Sequence, residues 1–176
     1  MLNKVPEVTI YFWIMKLMAV TVGETAADFL ATNLHLGLTG TSAAMGAMLV
    51  IFLGIHLWSR KYVPWLYWVN VVLLSVAGTL ITDNLVDNFG VPLRTTTVIF
   101  GLALLATFVV WYASERTLSI RTIFTTRREL FYWAAILLSF ALGTAGGDLA
   151  AEGLHLGYAE SGLIFGVLIG MVALPY

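Results

Sequence analysis

Three six-residue stretches of the chain, GETAAD at residues 23–28, GTLITD at 78–83 and GTAGGD at 143–148, each begin with glycine and end with aspartate. The residues around them repeat as well. A tryptophan precedes each first glycine by ten residues (Trp13, Trp68 and Trp133), and another glycine follows it by 23 residues (Gly46, Gly101 and Gly166). Four identical positions at constant spacing predict that the chain is built from three copies of one structural unit.

The composition is that of a protein embedded in a lipid bilayer. Of the 176 residues, 60% are hydrophobic and 11% are charged, and the mean hydropathy is +0.90, whereas soluble domains carry about 25% charged residues. The formal net charge of −1 gives no support for nucleic-acid binding. Because the sequence contains no cysteine, disulfides and cysteine-ligated metal clusters are excluded.

Six segments are candidates for membrane-spanning helices, which need about 20 apolar residues to cross the hydrocarbon core. They are Val8–Leu34, Ser42–Trp58, Pro64–Phe89, Thr95–Tyr112, Leu130–Leu154 and Glu160–Leu174. Each copy of the repeat contains two of them, so successive copies enter the membrane in the same orientation. The predicted fold is all-α: a polytopic membrane protein with six transmembrane helices in one membrane domain, arranged as three parallel two-helix repeats (about residues 8–60, 64–113 and 129–176).

Basic residues are concentrated on one side of the predicted membrane. The loops on that side carry Lys4, Arg60, Lys61, Arg116, Arg121, Arg127 and Arg128, and the opposite loops carry Arg94 alone. By the positive-inside rule, the N-terminus is predicted to be cytoplasmic. On the same side, Thr126 to Glu129 (TRRE) has the spacing of a capping box, which predicts that Glu129 caps the fifth span.

The repeated aspartates, Asp28, Asp83 and Asp148, are the strongest candidates for a site. The 15 residues from Trp13 to Asp28 cover about 22 Å of helix, so the aspartates are expected several ångströms inside the outer boundary of the bilayer. An ionised carboxylate facing lipid is costly, so all three should face the bundle interior, where an acidic ring attracts cations. Because like charges held close together repel, such a ring could share or exchange protons. The alternative is that each aspartate only caps or hydrogen-bonds a neighbouring hairpin.

A deeper acid and several neighbouring polar residues accompany the ring. Glu24 lies one turn below Asp28, near the midplane, and could coordinate the ion or relay a proton; Thr79 and Thr144 occupy its position in the other copies and could add hydroxyl oxygens or bond to the preceding turn. Lys16 could extend to the inner interface or pair with a buried acid, and Asn70 lies near the equivalent position.

The repeated glycines favour close helix packing. Gly23, Gly78 and Gly143 lack a side chain at the same position of each copy, which permits neighbouring helices to approach closely. The same absence could let a backbone carbonyl approach a bound ion. Both roles remain open from the sequence, with packing the simpler one.

The histidines offer a weaker alternative. His35 and His155 occupy equivalent outer-loop positions, with Gly90 between them in the middle copy, and they could bind a divalent cation or sense pH. With His56, inside the second span, they leave a bis-histidine haem or metal site open. The sequence has no nucleophile elbow, phosphate loop or zinc-protease motif. No enzymatic activity and no cofactor are therefore expected.

Three longer stretches carry a resemblance to a known family. NKVPEVTIYFWIMKLMAVTVGETAADFL (residues 3–30), GTLITDNL (78–85) and RRELFYWAAILLSFALGTAGGDLAAEGLHLGYAESGLIFG (127–166) resemble uncharacterised bacterial membrane-anchored proteins built from a repeated two-helix unit of unknown function. The resemblance implies an inner-membrane protein and carries over no activity or substrate. Such proteins typically continue into a fourth copy, so without that hairpin the ring is expected to be incomplete, or to be completed by a second subunit in a homo-oligomer.

The function predicted from these residues is transport of a small cation. Carboxylate oxygens favour protons or hard divalent metals, so the chain is expected to be a transporter or channel-like carrier that uses its aspartate ring. The alternative is a non-transporting membrane scaffold or partner subunit in which the aspartates hold the hairpins together.

Overall fold

The computed structural model describes residues 4–33, 37–59 and 61–173. Within these residues the regular structure is entirely helical, which confirms the all-α prediction. The six α-helices are α1 (Ile10–Asp28), α2 (Gly37–Trp58), α3 (Pro64–Asp83), α4 (Leu93–Glu115), α5 (Thr126–Asp148) and α6 (Tyr158–Ala173). A short 3₁₀ turn, Ile120–Thr122, interrupts the loop between α4 and α5.

Each odd-numbered helix changes its winding directly after the repeated aspartate. The α-helices end at Asp28, Asp83 and Asp148, and each continues into a five-residue π-helical turn. These turns are Phe29–Asn33, Asn84–Asn88 and Leu149–Gly153. Short π-helical turns within helices are rare and often occur at functional sites. The three copies therefore share a backbone irregularity as well as a sequence motif.

Five of the helical segments are long and apolar enough to cross a membrane. They are Ile10–Asn33, Gly37–Trp58, Pro64–Asn88, Leu93–Glu115 and Thr126–Gly153. The sixth, α6, is apolar but has 16 residues, which cover about 24 Å at 1.5 Å per residue. The predicted end of the sixth span, Leu174, lies outside the described residues.

Several helices begin earlier than their hydropathy predicts. α2 starts at Gly37 instead of Ser42, α4 at Leu93 instead of Thr95, and α5 at Thr126 instead of Leu130. The reason is that these first turns are rich in small, polar or charged residues, which lower the hydropathy but still form a helix.

The capping box predicted at the start of α5 is wrong. The N-cap residue is Thr125, whose side chain accepts a hydrogen bond from the backbone N–H of Arg128 at 3.3 Å. Glu129 is therefore one position too far along the helix to complete a capping box with Thr125. Its carboxylate instead contacts Lys4, 125 residues away in the sequence.

Helices α2 and α4 each pack on the odd-numbered helix of the following copy. α3 is the central element: it contacts α1, α2 and α5, and 61% of its span is buried, against 6% for α2. α4 packs against α5 in the same way as α2 packs against α3. α6, in the last copy, packs mainly on the π-helical turn Leu149–Gly153 of its own copy.

The repeated glycines permit two close helix contacts. A Cβ atom on Gly23 would lie 2.6 Å from the Cβ of Ser75 on α3, and one on Gly78 would lie 2.7 Å from the Cβ of Phe140 on α5. Ser75 and Phe140 are themselves at equivalent repeat positions, so the two contacts are copies of each other. Around Gly143 no such neighbour lies within 4 Å among the described residues. Close packing thus explains two of the three glycines.

Candidate ion-binding cavity

A cavity of about 810 Å³ lies at the end of the bundle where the odd-numbered helices give way to their π-helical turns. The repeated acids Asp28, Asp83 and Asp148 all line it, and so does Glu24. The repeat predicted that these residues lie at one depth, and the membrane cost predicted that they face inward. In the structure the four predicted acids meet around one space.

A second set of polar residues lines the same cavity and was missed in the sequence. Thr32, Asp87 and Glu152 occupy equivalent positions, four residues after each repeated aspartate, within the π-helical turns. The repeat alignment places polar residues at all three positions, but the first copy carries Thr32 instead of an acid, so no repeated carboxylate is visible in the sequence. The hydroxyl of Tyr158 donates a hydrogen bond to Glu152.

The carboxylates of the three repeated aspartates have no direct counter-charge in the described residues. The ion pairs in the structure join Lys4 and His56 to Glu129, and Arg127 and Arg128 to Glu115, all at the opposite end of the bundle. Similarly, none of the hydrogen bonds within the described ranges ends on these three carboxylates. Asp83 lies within electrostatic range of Asp148, Asp87, Asp28 and Glu24. The cavity is therefore acidic and suited to a cation.

A smaller cavity of about 220 Å³ extends the polar space deeper into the bundle. It shares Glu24, Thr79, Thr144 and Gly143 with the larger cavity and adds Lys16, among others. The hydroxyl groups of Thr79 and Thr144 share a hydrogen bond at 3.2 Å, so equivalent residues of α3 and α5 meet between the two spaces.

Lys16 lies at the inner end of this smaller cavity. Its Nζ is 5.6 Å from the centre of the Phe140 ring, which is within the range of a cation–π interaction. Both Lys16 and Glu24 line the cavity, but no ion pair joins them in the described structure. Lys16 thus points a positive charge into the space below the acids.

Other predicted residues have packing roles. Asn70 is fully buried and lines neither cavity; its Nδ2 donates to the carbonyl of Leu66 at 2.8 Å and to that of Phe52 at 3.4 Å. It therefore ties α3 to α2. Gly23 and Gly78 serve the helix contacts described above, whereas Gly143 lines both cavities.

The histidines do not form part of the cavity as far as the structure describes them. His155 is exposed in the turn before α6 with φ of +57°, and the equivalent Gly90 has φ of +67°. The position is thus one where the chain reverses through a left-handed residue. His35 lies outside the described residues. In the described ranges, no group of three or more His, Asp or Glu residues is arranged to hold a metal ion.

The accessibility of the cavity to water leads to a first prediction. Because the chain has no cysteine, a single introduced thiol reports only on its own position. Gly147 lines the cavity with open space around it, and Val76 is fully buried in α3. In the intact protein, Gly147→Cys is expected to react with a membrane-impermeant thiol reagent at least about tenfold faster than Val76→Cys. Equal protection at both positions would mean that water does not enter the cavity.

These features define the chain as a helical, membrane-type protein built from three copies of a two-helix unit around an acidic cavity. The model of a family described as Repeat of Unknown Function (DUF347) matches residues 11–62, 66–117 and 131–176, and the chain belongs to this family. The resemblance to a repeat family of unknown function is thereby confirmed. No curated protein and no solved structure matches the chain.

Proposed function

We propose that this protein carries a small cation across a bacterial inner membrane, as a transporter or channel-like carrier. Asp28, Asp83 and Asp148 bind the cation at the outer end, and Glu24 passes it inward. The observation that carries the proposal is that three equivalent acids, without an ion pair or hydrogen bond to another described side chain, line one cavity.

In this proposal the six helices cross the membrane as three parallel hairpins with a cytoplasmic N-terminus. Equivalent residues of α3 and α5 contact each other at two levels, Tyr67 with Tyr132 and Thr79 with Thr144, which is expected of helices running in one direction. Apart from Lys16 and Arg94, the basic residues of the described ranges lie at the end of the bundle opposite the acids, in agreement with the positive-inside rule.

The chemistry of the cavity follows from its charge and its shape. Carboxylates in a space shared by like charges attract cations and exchange protons readily, because removing one negative charge relieves the repulsion among the others. Glu24 lines both cavities, so it is the acid through which an ion or proton leaves the ring for the deeper space. Thr79 and Thr144 add hydroxyl oxygens at the same level.

The test is flux in proteoliposomes, with one indicator for protons and one for a divalent metal. Asp83→Asn and Asp148→Asn are expected to lower the flux severalfold and to leave the thermal stability in detergent nearly unchanged. Glu160→Gln is the matched control, because Glu160 belongs to the first turn of α6 but does not line the cavity.

Two results would contradict the proposal. If the folded aspartate variants carry wild-type flux, the site assignment is wrong. If the wild type carries no flux and the aspartate variants lose stability without any dependence on ions, the protein is a scaffold whose acids hold the hairpins together.

A further inference from the structure

A buried cluster of three charged or titratable residues lies at the end of the bundle opposite the acidic cavity. Glu129, in the first turn of α5, lies 2.8 Å (Oε2) from Lys4 Nζ and 3.3 Å (Oε1) from His56 Nε2. The side chains of Glu129 and His56 are each 2% exposed, and that of Lys4 is 12% exposed. The cluster joins the N-terminal segment, the last turn of α2 and the first turn of α5.

The polar atoms of the cluster differ in how many hydrogen bonds they make. Lys4 also donates to the carbonyls of Leu57 at 3.3 Å and His56 at 3.5 Å, where the C-terminal end of α2 favours a positive charge. By contrast, His56 Nδ1 is buried with no hydrogen-bond partner in the described ranges, and Glu129 Oε1, which lies 3.3 Å from His56 Nε2 and near the Trp133 side chain, accepts no well-formed hydrogen bond there. Burying a polar atom without a hydrogen-bond partner costs free energy, so such an atom in a folded protein requires an explanation.

The cluster can bind one more proton. Lys4 and Glu129 neutralise each other, so the cluster is neutral when His56 is uncharged. A proton taken up from water by the Glu129–His56 pair forms an O–H bond on Glu129 or an N–H bond on His56 and raises the charge of the cluster by one. Its release to water breaks that bond and restores the starting state. The other titratable groups nearby are phenols: Tyr67 on α3, Tyr132 on α5, and Tyr62 before α3.

Polar side chains lie at successive levels between this cluster and the smaller cavity, with no hydrogen bond joining the tyrosines to Lys16 in the described residues. The Tyr67 ring lies 6.5 Å from the His56 ring, and the hydroxyls of Tyr67 and Tyr132 share a hydrogen bond at 2.6 Å. Phe12 occupies the repeat position of Tyr67 on α1, and Lys16 follows it by one turn, about 6 Å. Lys16 lines the smaller cavity together with Glu24.

The same region is closed to a hydrated ion. Tyr67, Val71, Leu74, Tyr132 and Phe140 belong to one buried cluster that fills the bundle between the smaller cavity and Glu129. A proton can pass along hydroxyl, ammonium and carboxyl groups with small side-chain movements, whereas a metal ion with its water shell needs an open path.

We propose that Lys4, His56 and Glu129 form a proton-exchange site at the end of the protein opposite the acidic cavity, and that the transported cation is the proton. This inference rests on the proposed function and adds the site at which the proton enters or leaves the protein opposite the acidic cavity. The competing explanation is an ion pair that only fastens the N-terminal segment to α2 and α5. That explanation accounts for Lys4 and Glu129 and for the packing of the His56 ring on Trp133, but it leaves the buried His56 Nδ1 without a partner.

The experiment compares proton flux in proteoliposomes for Glu129→Gln, His56→Gln and Glu115→Gln. The first two are expected to lower the flux by at least about tenfold. Glu115→Gln is the matched control and should keep wild-type flux, because Glu115 is a carboxylate at the same end, 14% exposed and 2.7 Å from Arg128. Folded cluster variants with wild-type flux would overturn the inference.

A second measurement keeps the inference testable if Glu129→Gln does not fold. Infrared difference spectra of the full chain between acidic and neutral pH are expected to contain a carboxylic acid band that shifts in His56→Gln. A spectrum without such a shift overturns the inference. Failure of the proposed function is distinguishable, because wild-type protein would then carry no cation at all, whereas flux that survives in the cluster variants but falls in Asp83→Asn overturns only the second site.

Discussion

Replacing Gly78 with leucine is expected to lower the thermal unfolding temperature of the protein by roughly 6–12 °C, a loss of about 3 kcal/mol. A Cβ at this position would lie 2.7 Å from the Cβ of Phe140 and 2.9 Å from the backbone nitrogen of Ala141. The backbone nitrogen cannot move without shifting α5, so the larger side chain must separate the two helices that carry the site. Thermal unfolding in detergent, followed by circular dichroism, measures the effect.

Gly143→Leu is the matched control for this prediction. The substitution is the same and the repeat position is the same, but no such neighbour lies within 4 Å of Gly143 among the described residues. The unfolding temperature is therefore expected to change little. Because Gly143 lines both cavities, leucine there should lower the flux without unfolding the protein. Equal destabilisation by the two variants would mean that the contact at Gly78 does not hold α3 against α5.

This comparison also indicates how far the sequence predicts the fold. Gly23, Gly78 and Gly143 are indistinguishable in the repeat, and the prediction of close packing is met at the first two. The third differs because a contact needs a partner, and the partner of each glycine belongs to the following copy. The sequence pattern within one copy specifies the two-helix repeat. Which helix faces of that repeat are buried depends on the neighbouring copies against which it packs.

The repeated aspartates were also predicted from a pattern within each copy. The spacing of Asp28, Asp83 and Asp148 predicted one depth, and the cost of a charge in lipid predicted an inward direction. Both arguments apply to each copy separately, so they could not say whether the three carboxylates meet. The π-helical turns that follow them leave no mark in the hydropathy, and the second set of polar residues, including Asp87, was missed because the first copy carries Thr32 at that position.

Glu129 demonstrates how a short motif misleads when a distant partner competes. The TRRE pattern predicted a local cap, but Lys4, 125 residues away, supplies a charged hydrogen bond at 2.8 Å. Lys4 brings a full opposite charge to the carboxylate, whereas a cap offers only a backbone N–H, so the long-range pair prevails over the cap. Nothing in the spacing of the sequence connects these two residues.

Glu24→Thr is expected to lower the cation flux by at least about tenfold, which corresponds to about 1.4 kcal/mol, and a second substitution should restore it. Glu24, Thr79 and Thr144 occupy equivalent repeat positions, and all three line both cavities. If the carboxylate works because of its depth in the shared cavity, the identity of the helix that carries it should matter little. Glu24→Thr combined with Thr79→Glu, or with Thr144→Glu, should then recover most of the flux measured in proteoliposomes.

The control moves the same carboxylate by one residue along α1. Thr25 is exposed, bonds to the carbonyl of Thr21 and lines neither cavity. Glu24→Thr combined with Thr25→Glu keeps the composition and nearly the depth but turns the acid about 100° around the helix. It should remain as impaired as Glu24→Thr alone. Recovery in this variant, or its absence in both relocated variants when they are folded, would contradict a shared site. Because a scaffold that needs Glu24 for one packing contact would not be rescued from α3 or α5, rescue by relocation separates a common ion path from a local structural role.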